Sequence, residues 1–542
     1  MLRRRHLGRV RFAEANDLQH ALLAAPDDYL LLLEHPLTYT MGVRTKPENF
    51  LVDPTTLRAD VVDADRGGDV TCHGPGQVVA WVVATVADDP GAGPRHVTLL
   101  EDAVIATVTA LDAEGRLGRV GRLSGYPGVW ARLDDVAHKI AAVGVRTQRD
   151  DRGRRRTLHG VALNVDIDLA VFSAIVPCGI SEHPVGSMRL LGSNASMIDV
   201  EDRLGDELGA RLAAHMTTAS VDRLQASTSA ERPMIRRLRR AGVDPEAALD
   251  ISARKPEWLR IPAQMGSGYS SMRRLTEDLR LVTVCEEAGC PNIFECWSSG
   301  TATFMVNGER CTRACGFCLI DTRKPLALDP TEPARVAEAV ERLELHHAVI
   351  TCVARDDLDD GGAGAIAETV RAIRSRRPGT AVEVLTSDLR GDRASLATLI
   401  DVRPDVLNHN LETVARLQRA VRPSAGYARS LTVLARSRAA GLTTKSGLMV
   451  GLGETFDEVV EALVDLHAVG VSIVTIGQYL RPTKDHLPVA RWWEPEEFSE
   501  LERAGREIGL RHVQSSPLTR SSYHARDALD AATPVSLSSR SV

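Results

Sequence analysis

The chain has few aromatic residues, few lysines and no long apolar run, and it has no excess of positive charge. The longest apolar run, residues 78–87, is too short for a membrane-spanning helix, which needs ~20 residues. A net charge of −6 leaves no basic field for nucleic acid. The basic N-terminus lacks the apolar stretch of a secretory signal. These absences favour a cytoplasmic enzyme without membrane or nucleic-acid partners.

Lysine is scarce enough to be informative. Of the 66 Lys and Arg residues only six are lysine, at positions 46, 139, 255, 324, 445 and 484. Lysine loses its proton far more readily than arginine. A lysine in this chain is therefore more often expected at a position where arginine chemistry would fail than a lysine in a chain of ordinary composition.

The length of 542 residues predicts two or three separately cored units. Residues 1–215 contain short apolar runs joined by Gly, Pro and Asp turns, with helical spacing at 98–111. This pattern predicts an α+β domain with a largely antiparallel or mixed sheet. Ser, Thr and Pro residues predict a linker at 216–250, and a Ser-rich stretch predicts a frayed tail at 531–542.

Residues 251–530 form a second predicted domain. Apolar strands at 303–306, 348–352, 381–386, 406–408, 446–450 and 473–476 alternate with amphipathic stretches such as 335–343 and 458–467. Such alternation predicts an α/β fold with a parallel sheet, either doubly wound or curled into a partial (β/α)6 barrel of the TIM type. In a barrel, the chemistry sits at the carboxyl ends of the strands.

Nine cysteines are present, and six of them form two triplets between 285 and 318. An odd total and this clustering fit reduced, metal-binding thiols better than disulfides. Cys311, Cys315 and Cys318 follow the first predicted strand of the second domain. Three thiolates on a [4Fe–4S] cube leave one iron open, whereas structural zinc takes four protein ligands. A zinc-bound interaction module and an electron-carrying site are the alternatives.

The C-x3-C-x2-C spacing resembles the radical S-adenosylmethionine superfamily. The upstream triplet Cys285, Cys290 and Cys296, in VCEEAGCPNIFECW, narrows the resemblance to lipoyl synthase. Further stretches similar to that family are KPEWLR (255–260), RDDLDDGGAG (355–364), VLNHNLETV (406–414), TKSGLMVGLGET (444–455) and RSSYHA (520–525). The resemblance implies two [4Fe–4S] clusters, with S-adenosyl-L-methionine bound to the open iron of the one on Cys311, Cys315 and Cys318.

The same resemblance assigns the remaining ligands. It implies that the second, auxiliary cluster is held by the upstream triplet and Ser522 of the RSSY motif, and that it is consumed as the sulfur donor. It also implies backbone approach to the cofactor at Gly361, Gly362, Gly451 and Glu454. Cys352, outside both triplets, is predicted to be a buried core thiol.

Cys178 in IVPCGI is the candidate nucleophile of the first domain. HKIAAVGVR (138–146) contains Lys139, and RGGDVTCHGPGQ (66–77) and LHGVALNV (158–165) supply glycine-containing loops. This set resembles the octanoyl-carrier-protein:protein octanoyltransferases, whose fold is shared with biotin and lipoate protein ligases. EHPLTYTMG (34–42) and GVW (128–130) match the same family.

The octanoyltransferase resemblance implies that Cys178 carries the acyl group as a thioester. Lys139 would favour its thiolate and later accept a proton from the attacking amine. Cys72 replaces an aromatic residue of the family and is interpreted as lining the pocket. The residues expected to line the acyl channel are Arg66, Gly67, Gly68, Asp69, Val70, Thr71, Cys72, His73, Ala142, Val143, Gly144, Gly160, Val161 and Ala162.

Together the two halves predict consecutive steps of lipoyl cofactor synthesis. The first moves octanoyl from acyl-carrier protein to a lysine of lipoyl-accepting domains, in 2-oxoacid dehydrogenase complexes and the glycine cleavage H protein. The second inserts sulfur at C6 and C8 by radical chemistry, with electrons from a low-potential donor. An ATP-dependent lipoate ligase is the alternative for the first half.

Overall fold

The computed structural model describes residues 1–112, 119–212, 215–221, 233–260, 267–287, 290–298 and 301–532. Contacts between Cα atoms divide the chain into two compact units, Met1–Gln225 and Ala226–Val542. Each unit has its own sheets and its own apolar clusters. No helix in these described ranges is long and apolar enough to cross a membrane.

The first unit is an α+β domain. Its helices are α1 (Phe12–Ala21), α2 (Ala92–Leu111) and α3 (Met197–Leu212). Its strands are β1 (Leu2–Arg9), β2 (Asp28–Glu34), β3 (Thr38–Met41), β4 (Asp60–Asp63), β5 (Thr71–His73), β6 (Gln77–Val83), β7 (Val120–Leu123), β8 (Tyr126–Leu133), β9 (Val136–Arg149), β10 (Arg155–Asn164) and β11 (Met216–Ser220).

The predicted mixed sheet is confirmed. Eight strands run in the order β11-β1-β2-β6-β10-β9-β8-β7, parallel from β11 to β2 and antiparallel from there on. A separate sheet has three strands in the order β4-β3-β5. Strand β6 is buried along its whole length. Its residues 78, 80 and 82 pack with α2 and α3, which leaves Val79 and Trp81 to face a cavity on the other side.

The second unit is an α/β domain with the parallel sheet that the alternation predicted. Its strands are β12 (Val282–Thr283), β13 (Thr301–Val306), β14 (His347–Cys352), β15 (Ala381–Leu385), β16 (Val406–Asn408), β17 (Thr443–Val450), β18 (Ile473–Gln478) and β19 (His512–Ser515). They pair in chain order, all parallel from β13 to β19, with β12 antiparallel on β13. Strands β12 and β19, which form the two edges of this sheet and are two and four residues long, were not predicted.

Twelve helices accompany this sheet in the described residues. They are α4 (Pro233–Arg240), α5 (Ser267–Asp278), α6 (Val284–Glu287), α7 (Ile293–Ser298), α8 (Glu332–Arg342), α9 (Ala363–Arg376), α10 (Arg393–Asp401), α11 (Gln418–Val421), α12 (Tyr427–Ala439), α13 (Phe456–Ala468), α14 (Pro495–Ile508) and α15 (Ala525–Ala532). Apolar side chains of α8 and α9 cover β13, β14 and β15. Helix α13 begins with a capping box, in which Thr455 and Glu458 satisfy each other's backbone N–H groups.

Both ends of the predicted linker, 216–250, belong to folded elements. Residues 216–220 are the edge strand β11, whose β-branched threonines suit a strand as well as a linker. Helix α4 packs on α11, and Leu249 pairs with Val489 in the second unit. Residues 222–232 lie outside the described residues. So does the predicted tail from 533 onward, whereas residues 531 and 532 end α15.

Candidate active sites

A cavity of about 720 Å³ in the first unit collects most of the predicted acyl-channel residues. Its walls come from β6, β9 and β10, the loop 66–69, strand β5 and the turn at Cys178. All of the predicted residues except Val70 and Cys72 line it. Lys139 and Cys178 line the same cavity.

Val70 and Cys72 lie on the opposite side of β5 from the cavity, contrary to the prediction. Side chains alternate along a strand, so Thr71 and His73 face the cavity while Val70 and Cys72, at the alternate positions, face away. Cys72 packs instead with Tyr39 and Phe172 in a separate apolar cluster. Burial raises the pKa of the Cys72 thiol to about 12, which makes it a poor nucleophile.

Cys178 sits in the short turn Pro177–Gly179 with φ of +58°, in the left-handed region. A non-glycine residue in this region is uncommon and is a feature of functional sites. Its N–H donates to the Val70 carbonyl at 2.8 Å. A Cβ on Gly179 would lie 2.9 Å from Asp69 Oδ2, so glycine allows the turn to approach this carboxylate. The turn thereby presents Cys178 to the cavity.

Arg66 supplies a buried cation beside this turn. Its guanidinium donates to the Thr40 carbonyl at 2.7 Å and to the Asp69 carbonyl at 2.8 Å. Burial lowers the pKa of Arg66, while attraction to Cys178 and Asp69 acts in the opposite direction. A cation near a cysteine favours its reactive anion. Arg66 was expected only to line the channel, and the structure also brings its guanidinium to the Asp69 carbonyl, next to the residue that accepts a hydrogen bond from Cys178 N–H.

Lys139 is almost fully buried near the start of β9. Its backbone N–H donates to the Pro184 carbonyl at 2.9 Å, and its own carbonyl accepts from Gly186 N–H at 3.0 Å. Its Nζ lies 5.6 Å from the centre of the Trp130 ring. The 184–186 segment therefore fixes the backbone of Lys139, and an indole meets its ammonium group.

Aromatic and imidazole rings form one wall of the cavity. The Phe12 ring lies 5.2 Å from the Trp81 ring and 5.9 Å from that of His73, and Trp81 lies 5.1 Å from His159. Burial holds the pKa of His73 well below its ordinary value, so its ring is neutral near pH 7. Phe12, Trp81, His73 and His159 line the same cavity as Cys178.

Cys311, Cys315 and Cys318, called the first triplet below, lie in the loop that follows β13. Cys285, Cys290 and Cys296 are called the second triplet, although they come earlier in the chain. Cys311 Sγ accepts from the backbone N–H of Arg313 at 3.4 Å and of Ala354 at 3.3 Å. Gly316 N–H donates to the Val421 carbonyl at 2.8 Å. Burial raises the pKa of Cys315, and it raises that of Cys318 to about 12. The loop is thus tied to the carboxyl end of β14 and to α11.

The second triplet is compact and lies against the RSSY segment. Cys285 is in α6 and Cys296 in α7, and both interact electrostatically with Cys290 between them. Asn292 Nδ2 donates to the Leu518 carbonyl at 2.7 Å. Arg520 interacts with Cys290, and Tyr523 Oη donates to Glu295 at 3.2 Å. Ser522, partly buried between Arg520 and Tyr523 in sequence, belongs to this segment.

Within the described ranges, no three His, Cys, Asp or Glu side chains converge as they would on a single metal ion. An iron–sulfur cube differs, because each thiolate binds a different iron and the sulfurs lie farther apart. Each triplet fits such a group in its donor chemistry, being free cysteines that form no disulfide. The fold brings together the members of each triplet that the sequence proposed.

Comparison with known proteins assigns both units. Residues 12–209 match the lipoyl protein ligase A/B catalytic domain, and residues 305–466 match the radical SAM superfamily. A lipoyl synthase of Rubrobacter xylanophilus is 54% identical over 288 residues, which are 53% of this chain and 90% of that protein. Through its second half, this chain belongs to the lipoyl synthase family.

Other relatives of the lipoyl synthase half agree. The lipoyl synthase of Nocardia farcinica is 56% identical over 272 residues, 50% of this chain and 77% of that protein.

Among solved structures, a putative lipoate protein ligase from T. acidophilum with bound lipoic acid matches with a TM-score of 0.33 and 16% identity. The match covers 41% of this chain and 90% of that one.

In the lipoyl synthase unit, the predicted cofactor glycines are required by local packing. A Cβ on Gly362, where φ is +85°, would lie 2.3 Å from Asn307 Nδ2. A Cβ on Gly451, where φ is +102°, would lie 2.0 Å from Gln478 Nε2. Gly361 also has a positive φ, next to Leu389. Their approach to S-adenosylmethionine stays a prediction.

Glu454 has a structural role in the same lipoyl synthase unit. Its carboxylate accepts from the backbone N–H of Gly451 and, at 3.0 Å, of Leu452. Burial raises its pKa, and these hydrogen bonds act against the rise. Glu454 thus stabilises the backbone of the GLGE loop, residues 451–454.

Cys352, expected in the core, is partly exposed at the end of β14, packed against the apolar cluster.

Sequence reasoning missed a charged network of the lipoyl synthase unit. Arg313, inside the first triplet, donates to both oxygens of Asp356 at 2.7 and 2.8 Å and to the buried Asp388 at 2.6 Å. Burial opposes ionisation of Asp388, but Arg313 outweighs it and lowers the pKa to about 2. The RDDLDDGGAG motif contains Asp356, but nothing in the sequence links it to Arg313.

Proposed function

We propose that the chain builds the lipoyl cofactor in two consecutive reactions on a carrier domain. The first unit transfers octanoyl from acyl-carrier protein to a lysine of a lipoyl-accepting domain. The second inserts two sulfur atoms into that octanoyl chain, at C6 and C8. The observation that carries the proposal is the shared cavity of Cys178 and Lys139, in a chain whose second half is a lipoyl synthase.

In the first unit, the Cys178 thiolate attacks the thioester carbonyl of the octanoyl donor. The bond to the carrier's sulfur breaks, and the Lys139 ammonium gives that sulfur the proton with which it leaves as a thiol, so that Lys139 becomes a neutral amine. The acceptor's lysine amine then attacks the octanoyl-Cys178 thioester, Lys139 takes the excess proton, and the Cys178 thiolate is released. Arg66 and Lys139 favour the thiolate at both ends of this cycle.

The walls of the cavity suit an acyl chain. Ala142, Val143, Gly160 and Ala162 are small or apolar, and burial keeps His73 neutral among them. An apolar chain placed there loses contact with water at a gain of about 25 cal/mol per Å² buried.

In the second unit, Cys311, Cys315 and Cys318 hold one [4Fe–4S] cluster, to which S-adenosylmethionine binds. Cys285, Cys290, Cys296 and Ser522 hold the other. When bound, the cluster and S-adenosylmethionine supply the radical chemistry that an unactivated C–H bond requires. A low-potential electron donor is the further partner.

Asn410 links the RSSY segment to the segment that follows β16. Its Nδ2 donates to Ser521 Oγ at 2.8 Å and to Glu412 Oε1 at 3.1 Å. Glu412 interacts electrostatically with Cys315 and Cys318. Asn410 therefore fixes the segment that carries Ser522 relative to a residue close to the first triplet, as two clusters that act on one substrate require.

The carriers proposed as acceptors are lipoyl-accepting domains of 2-oxoacid dehydrogenase complexes and the glycine cleavage H protein. The test uses the full chain and octanoyl-acyl-carrier protein, without acceptor. Peptide mass spectrometry should find octanoyl on Cys178 alone, and none in a Cys178→Ala variant. Transfer that needs ATP and free octanoate, with no adduct on Cys178, would instead establish a lipoate-ligase type of reaction.

A further inference from the structure

Lys139 has an environment that its proposed role does not explain. It is only 7% exposed, yet none of the described residues forms an ion pair with it. Taking an ammonium group out of water is costly unless something compensates. The compensating group in this structure is an aromatic ring.

That ring belongs to Trp130. It pairs with Lys139 across the antiparallel strands β8 and β9, next to a register shift between Val129 and Trp130. The Lys139 Nζ lies 5.6 Å from the ring centre. This distance is within the ~6 Å over which an ammonium is attracted to an indole face, and the attraction is stronger in a site that excludes water.

The indole is itself held in one orientation. Its Nε1 donates to the Tyr126 carbonyl at 3.0 Å. The His183 ring stands edge-on to it at 5.3 Å and edge-on to the Tyr126 ring at 4.9 Å. Trp130 itself is buried. The face presented to Lys139 is therefore fixed by a hydrogen bond and by ring packing.

Gly128 leaves space for the side chain of Lys139. A Cβ at this position, where φ is +109°, would lie 2.9 Å from Lys139 Cε and 2.4 Å from the Ala141 carbonyl oxygen. The buried Glu101 accepts from Gly128 N–H at 2.8 Å, and its other oxygen accepts from Arg122 Nε at 2.6 Å. The backbone of Gly128 is thus anchored to helix α2.

We propose that Trp130 is a positioning residue, which holds the Lys139 ammonium in the cavity where it can act on Cys178, with Gly128 leaving room for the lysine stem. The inference rests on the proposed function, because it assumes that Lys139 favours the Cys178 thiolate. It adds an aromatic partner where an ion pair would otherwise be needed. A carboxylate in that place would bind the ammonium but would oppose a thiolate nearby.

The test measures the rate at which iodoacetamide alkylates Cys178 in the full chain, read from the Cys178 peptide by mass spectrometry. The Lys139→Met variant should be slow, as the proposed function requires. Trp130→Leu should slow alkylation about tenfold, and Trp130→Phe, which keeps a weaker aromatic face, about threefold. In the Lys139→Met background, Trp130→Leu should have no further effect.

Tyr29→Leu is the matched control. Tyr29 is another buried aromatic residue of this unit, 5.7 Å from the guanidinium of Arg5, and it does not line the cavity. Its loss should lower the melting temperature but leave the alkylation rate within twofold. A structural effect alone would instead slow both variants equally.

The outcomes distinguish failure of the proposed role of Trp130 from failure of the proposed function. If Lys139→Met is slow and Trp130→Leu alkylates at the wild-type rate, the role of Trp130 is refuted and the proposed function stands. If Lys139→Met alkylates at the wild-type rate, the role of Lys139 fails and the inference fails with it. If Trp130→Leu does not fold, the Trp130→Phe variant decides by the same criteria.

Discussion

Removing the ammonium group of Lys445 should destabilise the second unit, and the loss should grow as pH rises. Val382 and Val384 of β15 pack in the apolar cluster, so Glu383 between them points to the other face of the sheet. There its carboxylate accepts from Lys445 Nζ at 3.1 Å and from Asn408 Nδ2 at 2.7 Å. Both members of the ion pair are fully buried.

The magnitude follows from that burial. Lys445→Met leaves the Glu383 carboxylate buried without its lysine, facing Asn408 and the His347 ring 3.7 Å away. Breaking such a pair costs about 3–5 kcal/mol. Typical domains are stable by about 5–15 kcal/mol, so the variant should fold but be much weaker. Replacing both partners, as in Glu383→Leu with Lys445→Met, should recover most of the loss.

The dependence on pH gives the sharper signature. In the wild type, burial opposes ionisation of Glu383, but Lys445 and the hydrogen bonds outweigh it, and the pKa lies below its ordinary value. Such a group contributes stability above its unfolded pKa, and that stability is lost as pH falls. Without Lys445, burial dominates and the pKa rises. The variant should therefore lose stability as pH increases from 5 to 8.

Hydrogen exchange of peptides from β14 to β17, corrected for the intrinsic effect of pH, measures this opening free energy. Lys484→Met, at an exposed lysine of the same unit, is the control and should stay within about 0.5 kcal/mol of wild type. Equal protection of Lys445→Met and wild type at both pH values would refute the reasoning. So would a Lys445→Met variant that grows more stable with pH.

Three further predictions concern the cysteines and their neighbours. Cys315→Ala should abolish reductive cleavage of S-adenosylmethionine while octanoyl transfer continues at the wild-type rate, and loss of both in a folded variant would contradict separate sites. Ser522→Ala should retain most cleavage but lose sulfur insertion, measured as the mass of the carrier product, and lost cleavage would contradict separate roles for the two clusters. Cys72→Ala should keep octanoyl transfer within about twofold and cost about 1 kcal/mol in thermal unfolding, because its thiol fills an apolar cluster away from the cavity. An octanoyl adduct on Cys72 in the wild type would contradict that placement.

Strand β1 shows one limit of prediction from the sequence. The arginine-rich start of the chain forms this strand. Arg4 and His6 are buried, and they contact α3 through an ion pair of Arg4 with Asp206 and a hydrogen bond of His6 with Glu201. The acidic partners lie some 200 residues away in the sequence. Local patterns identify the strand and cannot show what covers it.

The candidate sites also contain some residues that the sequence identifies and others that it cannot. Spacing alone identified both cysteine triplets, because local clustering of thiols is informative. The cavity residues came from the family resemblance, and the misplacement of Val70 and Cys72 came from treating a strand as though both faces met the substrate. Trp130 contacts a lysine on the neighbouring strand, and Arg313 contacts aspartates in the segments that follow β14 and β15. The sequence carries no signal for such contacts.

The most direct test of the account follows one carrier domain through both reactions. The full chain, with clusters reconstituted under anaerobic conditions, is given octanoyl-acyl-carrier protein, a lipoyl-accepting domain, S-adenosylmethionine and a reductant, and the carrier's mass is recorded over time. The account predicts a gain of octanoyl followed by conversion to lipoyl. In Cys178→Ala the carrier should stay unmodified, and supplying pre-octanoylated carrier should restore the lipoyl product. A lipoyl product formed by Cys178→Ala from the unmodified carrier would contradict the account, as would failure of that variant on the octanoylated one.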